Sequence, residues 1–417
     1  KSYLLGGTTV QRVGTGVVQY DAATEVVTLQ ASDFADQVQM TGQPPTSVAL
    51  TVAGNLNAGG VDTLTGANTT NAWDMTGASS GKLNGNVNFV GVESLVGGSQ
   101  VDTFKLIGTA AGMSKLAGGA GADVLDYSQM TTPVTVNLQT LSATQVGAFS
   151  SLELLRGGMA SDTLIGPNLP NGWLLTQLNV GSISTMNLGP LSFDAFENLT
   201  GGTSADVFQF TTFGAVSGAI ADQGGKDRLD YSQLINPVSV NLATGAASRT
   251  AGATGIEEVY GGSGDDLILG DGQDNTLVGN AGDDVLVGQA GNDTLDGGLG
   301  RDLMIGGNGT DTLSGGDGDD IVIGNRTSFD NDTVALKTML TDWKQTNVSY
   351  AQRVANLKNG VGANSQYKLK AAVTVFDDLA ADVLKGQGGQ DWFFATLNGA
   401  PNTNDILSDQ LLNEIVN

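Results

Sequence analysis

Between Gly261 and Ile323 the chain divides without a gap into seven nonapeptides: GGSGDDLIL, GDGQDNTLV, GNAGDDVLV, GQAGNDTLD, GGLGRDLMI, GGNGTDTLS and GGDGDDIVI. A period this short is met only by a small unit that stacks on copies of itself, which makes it the tightest constraint on the fold. Position 1 is always Gly and position 4 is Gly in six of the seven. Position 6 is Asp266, Asn275, Asp284, Asp293, Asp302, Asp311 and Asp320; position 8 is Ile268, Leu277, Leu286, Leu295, Met304, Leu313 and Val322. Positions 1 to 6 read as turn, and positions 7 to 9 as a very short strand with position 8 pointing inward. Such a strand cannot stand alone, so stacked copies build one core from the position-8 side chains. With two nonapeptides per coil, residues 18 apart are neighbours at about 4.8 Å, the usual strand spacing. Asp266, Asp284, Asp302 and Asp320 then line one edge, and Asn275, Asp293 and Asp311 the other.

Carboxylates stacked at that distance repel one another. From Gly261 to Asn325 there are 13 Asp and one basic residue, Arg301, in a chain whose formal net charge is −25. A bare stack of this kind should not close. Carboxylates and turn carbonyls supply only oxygen ligands, the donor set of a hard cation such as Ca²⁺.

These repeats resemble the repeats-in-toxin, or haemolysin-type calcium-binding, family, whose consensus is G-G-x-G-x-D-x-U-x with U a large aliphatic residue. The resemblance implies a parallel β-roll with calcium between successive turns, held by the position-6 Asp and turn carbonyls. Three ions are expected along the Asp266 edge and one or two along the Asn275 edge, about five in all. Asp284 and Asp302 each have an Asp 18 residues before and after, so each is expected to serve two sites, whereas Asp320 ends its edge and serves chiefly one. The second nonapeptide departs, with Gln273 at position 4 and Asn275 at position 6.

A longer period runs upstream. Asp62 and Trp73 recur 100 residues later as Asp162 and Trp173, and DYSQMTTPVTVNL (126–138) recurs 104 residues later as DYSQLINPVSVNL (230–242). Glu-x-apolar-x-Gly-Gly appears from Glu93, Glu153, Glu197 and Glu257. Each leads toward a nonapeptide-like turn: GGSQVDTFK (97–105), GGAGADVLD (118–126), GGMASDTLI (157–165) and GGTSADVFQ (201–209). NAGGVDTLT (57–65) and DQGGKDRLD (222–230) fit more loosely. Asp favours turns without any metal, so of these residues only Asp123, in the full consensus GGAGADVLD, is a calcium candidate. Residues 1–56 also read as β, with VVQY and EVVTL broken by Gly and by Pro44-Pro45.

After Asn325 the composition shifts, and eight of the 18 basic residues follow it. Leu336, Met339, Leu340 and Trp343 share one helical face, as do Tyr350, Val354 and Leu357, with Gly360 as a stop. DDLAADVLK (377–385) and GQGGQDWFF (386–394) then return to nine-residue spacing, with Asp382 and Asp391 at position 6. The helices are expected to pack across the roll and Trp392, Phe393 and Phe394 to close its last coil. This stretch resembles the C-terminal ends of very large bacterial surface proteins carrying the same repeats; ILSDQLLNEIVN (406–417) also suits a C-terminal secretion signal.

The expected fold is therefore all-β: a parallel β-solenoid or β-roll with calcium-binding turns and a small α-containing C-terminal cap. It divides into a β segment (1–56), an irregular solenoid (57–260), the calcium roll (261–325) and the cap (326–417). With no His and no Cys there is no His- or Cys-based zinc site and no conventional nucleophile–His pair, so Gly77-Ala78-Ser79-Ser80-Gly81 is no hydrolase elbow. The charge argues against nucleic acid, and no apolar run is long enough to span a membrane. The expected function is that of an extracellular structural protein of the bacterial cell surface: an adhesin, surface-layer, filament or matrix component. Its N-terminal sheet edge would be covered by a precursor's further repeats or by self-association, and a surface glycan is a further partner. The alternatives are a carbohydrate-binding module and a calcium-dependent polysaccharide lyase using Arg156 or Arg228 as base; Trp73 and Trp173 read as core or coil packing rather than as sugar-stacking platforms.

Overall fold

A computed structural model describes residues 2–5, 9–12, 17–19, 26–30, 35–42, 49–54, 60–108, 113–185, 189–360, 366–397, 404–410 and 414–417. It contains two compact units, Lys1–Trp173 with Leu178–Thr203, and Leu174–Gln177 with Ser204–Asn417. Both consist mostly of β-strands paired in parallel.

In the first unit, Asn71–Gly77, Asp102–Leu106, Val124–Asp126, Leu154–Arg156 and Leu191–Asp194 pair successively in parallel. Thr63–Thr65, Ser94–Gly98, Met113–Gly119 and Val146–Ser150 form a second such series. The long upstream period reappears in the core. Trp73 meets Phe89 edge-on at 6.1 Å, and Trp173 meets Phe193 the same way at 6.1 Å. Both Trp side chains are buried, as core packing requires, and neither offers a platform for sugar stacking. Ser79 lies in the turn of an antiparallel hairpin, between Asn71–Gly77 and Ser80–Leu83. Residues 17–19 and 26–30 are strands as expected, while Pro44-Pro45 lies outside the described residues.

In the second unit the chain alternates between two parallel sheets. One holds Leu267–Leu269, Val285–Ala290, Leu303–Asn308 and Ile321–Thr327. The other holds Glu258–Tyr260, Thr276–Ala281, Thr294–Leu299 and Thr312–Asp317. Register follows the sequence period: Leu277 faces Leu295 and Leu295 faces Leu313, while Leu286 faces Met304 and Met304 faces Val322. All these position-8 side chains are fully buried.

Two expectations are corrected here. The strands span six or seven residues from the second nonapeptide on, because positions 1 to 3 of the next repeat stay in the ladder, with Asn280 facing Gly298 and Gly298 facing Gly316. Trp392–Phe394 does not close the stack. It pairs with Ile321–Thr327 on one side and with Ile415–Val416 on the other, so another layer follows it. Val383–Gly388 likewise lies between Thr312–Asp317 and Ile406–Leu407.

The helices α1 (Thr333–Trp343) and α2 (Tyr350–Asn359) leave the stack after Thr327 and cover the outer side of one sheet. Asp332 caps α1 by accepting from the amides of Val334 and Ala335, Ser349 caps α2, and Gly360 ends α2 in the left-handed region at φ 66°. Their buried faces are those read from the sequence, and they pack on Leu267, Leu269, Val285, Val287, Leu303, Ile305, Ile321 and Ile323. These are positions 7 and 9 of the odd-numbered nonapeptides. The even-numbered repeats carry Thr294 and Asp296, or Thr312 and Ser314, at the same positions, and their sheet keeps a polar outer face.

Candidate metal centre

Each position-6 Asp of the repeats accepts a hydrogen bond from the main chain one layer earlier. The Asp266 amide donates to Asp284 Oδ1 at 2.6 Å, Asp284 to Asp302 at 2.7 Å and Asp302 to Asp320 at 2.9 Å. In the second column Asn275 donates to Asp293 and Asp293 to Asp311, each at 2.8 Å. The two edges expected from the sequence are thus both present. Both also run further: Asp320 donates to Asp391 and Asp311 to Asp382 at 2.8 Å, and Asp382 to Asp405 at 3.0 Å. Asp320 is therefore not the end of its column.

The position-1 glycine follows from this arrangement. A Cβ on Gly279 would lie 2.3 Å from Asp284 Oδ2 and 2.5 Å from the Gly297 carbonyl. The carboxylate of position 6 occupies the space that any side chain at position 1 would need.

The second carboxylate oxygen separates the ends of the columns from their middles. Asp266 Oδ2 accepts from the Gly262 amide at 2.7 Å, and Asn275 Oδ1 from the Asp271 amide at 2.9 Å. From the third nonapeptide on, Oδ2 of Asp284, Asp293, Asp302, Asp311, Asp320 and Asp391 is buried with no hydrogen-bond partner. A buried charged oxygen left unpaired costs several kcal/mol, on the order of a lost charged hydrogen bond or more.

The chain neutralises the adjacent carboxylates but not these. At position 5, Asp265 and Asp283 meet Lys344, and Asp319 meets Arg301 and Arg353. Among the described residues no Lys or Arg forms an ion pair with a position-6 Asp of the repeats. The consequences are opposite. Burial works to raise the Asp265 pKa, but Lys344 outweighs it and the net shift is downward. Burial, reinforced by like charges in the same column, pushes Asp284 up to about 9 and Asp302 and Asp320 to about 8. Asp293, Asp311 and Asp382 rise to about 7, again chiefly by burial. Asp266, whose two oxygens are both satisfied by amides, rises only to about 6.

Orphaned, mutually repelling, buried carboxylate oxygens fit a hard divalent cation, which supplies the missing charge and partner together. The residues that would hold it are Asp284, Asp302, Asp320 and Asp391 in one column and Asp293 and Asp311 in the other, which Asp382 continues with its Oδ2 accepting from Asn325 at 3.5 Å. Asp266 and Asn275 stand at the column ends, where one carboxylate is already satisfied and the other side chain is neutral.

Asp123 belongs to the first unit and has a similar setting. Its Oδ1 accepts from the Asp102 amide at 2.7 Å, and its Oδ2 is buried without a partner. Burial first, then Asp102 and Glu153, raise its pKa. The four repeated glutamates act in the same way as the stacked aspartates. Glu93, Glu153, Glu197 and Glu257 accept from the amides of Asp62, Asp123, Asp162 and Asp227 at 2.8, 2.7, 2.8 and 3.0 Å.

Residues 252–286, 269–304 and 296–327 match the family model of the RTX calcium-binding nonapeptide repeat in four copies. Residues 252–327 are thus similar to a class of calcium-binding repeat, that of the RTX family. No curated protein matches the chain.

Proposed function

We propose that this is an extracellular, non-enzymatic structural protein of the bacterial cell surface, in which calcium rigidifies a parallel β-roll within a longer β-solenoid. The observation that carries the reading is the pair of carboxylate columns, whose buried Oδ2 atoms have neither a hydrogen bond nor a cation among the described residues. A chain that needs an external ion to complete its core is firm where calcium is plentiful and weak where it is scarce. Among the described residues no helix is long and apolar enough to cross a membrane.

Several features favour this reading over a glycan-binding or lyase role. All four Trp are buried, so none presents a ring for sugar stacking. Arg156 is held by Asp126 and Asp194, and Arg228 by Glu258 with its guanidinium 3.9 Å from the Tyr260 ring centre. A base must be free to take a proton, and both guanidinium groups are engaged as cations.

The test is limited proteolysis and circular dichroism of the full chain with millimolar calcium and after calcium removal. Calcium loss should open residues 261–397 to protease while the first unit keeps its protection. An unchanged digest would refute the calcium dependence. Surface labelling of the source cells tests the location, and signal confined to the cell interior would refute that part.

A further inference from the structure

The turn DQGGKDRLD (222–230) breaks the rule of glycine at position 1, since Asp222 stands there. Ligand oxygens of Asp206, Asp222 and Asp227 lie within 4.8 Å of one another. Asp206 and Asp227 are fully buried, and Asp222 is half-buried. Asp227 Oδ1 accepts from the Asp206 amide at 2.6 Å, and Asp222 Oδ2 from the Gly224 amide at 2.7 Å. The remaining oxygens, Asp227 Oδ2 and Asp222 Oδ1, are buried and have no hydrogen-bond partner. Neither residue forms an ion pair among the described residues; the neighbouring Arg228 is committed to Glu258, and Lys226 is exposed.

We propose that Asp206, Asp222 and Asp227 form a separate site for one hard divalent cation of the calcium class, outside the RTX repeats. Three carboxylates converging on one point, two of them with orphaned buried oxygens, call for a ligand that is cationic and takes oxygen donors. The sequence provides an internal control. One long period earlier the same turn carries Asp102, Gly118 and Asp123, so the twin has two of the three carboxylates and glycine in place of Asp222. Replacing Asp222 by glycine therefore restores a residue that this turn already accepts elsewhere in the chain.

The experiment counts bound calcium by equilibrium dialysis on the full chain, the Asp222→Gly and Asp222→Asn variants, and Asp302→Asn. Asp222→Gly should bind one ion fewer than the parent with an unchanged circular dichroism spectrum. Asp222→Asn, which keeps the shape and removes the charge, should weaken one ion at least tenfold, and it stands in if the glycine variant misfolds. Equal calcium binding by the parent and both Asp222 variants overturns the proposal, the three carboxylates then sharing a proton instead. The RTX reading fails separately: it is lost if Asp302→Asn binds as much as the parent, whatever Asp222 does.

Discussion

The backbone amide of Asp320 donates to the carboxylate of Asp391 at 2.8 Å across 71 residues of sequence. Asp320 is therefore flanked in its column by Asp302 and Asp391, as Asp302 is by Asp284 and Asp320. Asp302→Ala and Asp320→Ala should lose the same number of calcium ions in equilibrium dialysis. A loss at Asp320 half that at Asp302 would show that Asp391 is not part of the column.

Stability without calcium should fall as pH rises, while the stabilisation that calcium adds should grow. The folded calcium-free chain holds protons on Asp284 up to about pH 9 and on Asp302 and Asp320 up to about 8, whereas unfolded Asp releases them near 4. Their folded pKa values are raised, so the stability they contribute is complete below about pH 4 and is lost as pH rises through 8 to 9. Calcium needs the ionised form, so its affinity should climb over the same window. Thermal melts at pH 5, 7 and 9 check this. The midpoint should fall with pH in calcium-free buffer, and the stabilisation by calcium should grow; a calcium-free midpoint that rises with pH contradicts the geometry.

Gly297→Ala should be costly and Gly272→Ala nearly silent. A Cβ at 297 would sit 2.3 Å from Asp302 Oδ2 and 2.5 Å from the Gly315 carbonyl, whereas one at 272 meets nothing within 4 Å. Overpacking of that kind costs about 1–3 kcal/mol, against about 0.5 kcal/mol or less for an open surface position. Denaturant melts of the two variants in calcium give the comparison.

Trp343 joins the helices to the sheet. It is fully buried, with ring centres 5.8 Å from Tyr350 and 6.1 Å from Trp392, and its indole N–H donates to the Asp319 carbonyl. Trp343→Ala should cost about 3–5 kcal/mol. It should also loosen the cover over Val285, Val287, Leu303 and Ile305, seen as binding of a hydrophobic dye and as self-association in light scattering. Neither should follow from Val334→Ala, because Val334 is exposed on the same helix.

The repeats were legible because each of their rules is local. Position 8 buried and residues 18 apart stacked follow from nine letters at a time, as do the helical faces around Leu336 and Val354. The nine-residue spacing around Asp382 and Asp391 was also visible. Their place in the columns was not, because pairing across 71 residues leaves no periodic trace. The covered sheet carries its own signal: positions 7 and 9 are both apolar in Leu267/Leu269, Val285/Val287, Leu303/Ile305 and Ile321/Ile323, and such pairs on a strand ask for a partner on the outer side. The repeated glutamates were seen as a pattern, yet their role needed geometry, since each reaches an amide 30 to 35 residues earlier.

The excursion of the chain between Thr327 and Val383 also orders events in time. Closing a 71-residue loop rather than an 18-residue one costs about 1.2 kcal/mol more in chain entropy. Layers built from neighbouring nonapeptides should therefore form early, and the layer of Val383–Gly388 and Trp392–Phe394 should dock late. Under mechanical load applied at its two ends, the second unit should give way at that layer first. One long release should free the helices with that layer, and short extensions of two nonapeptides each should follow through residues 261–323.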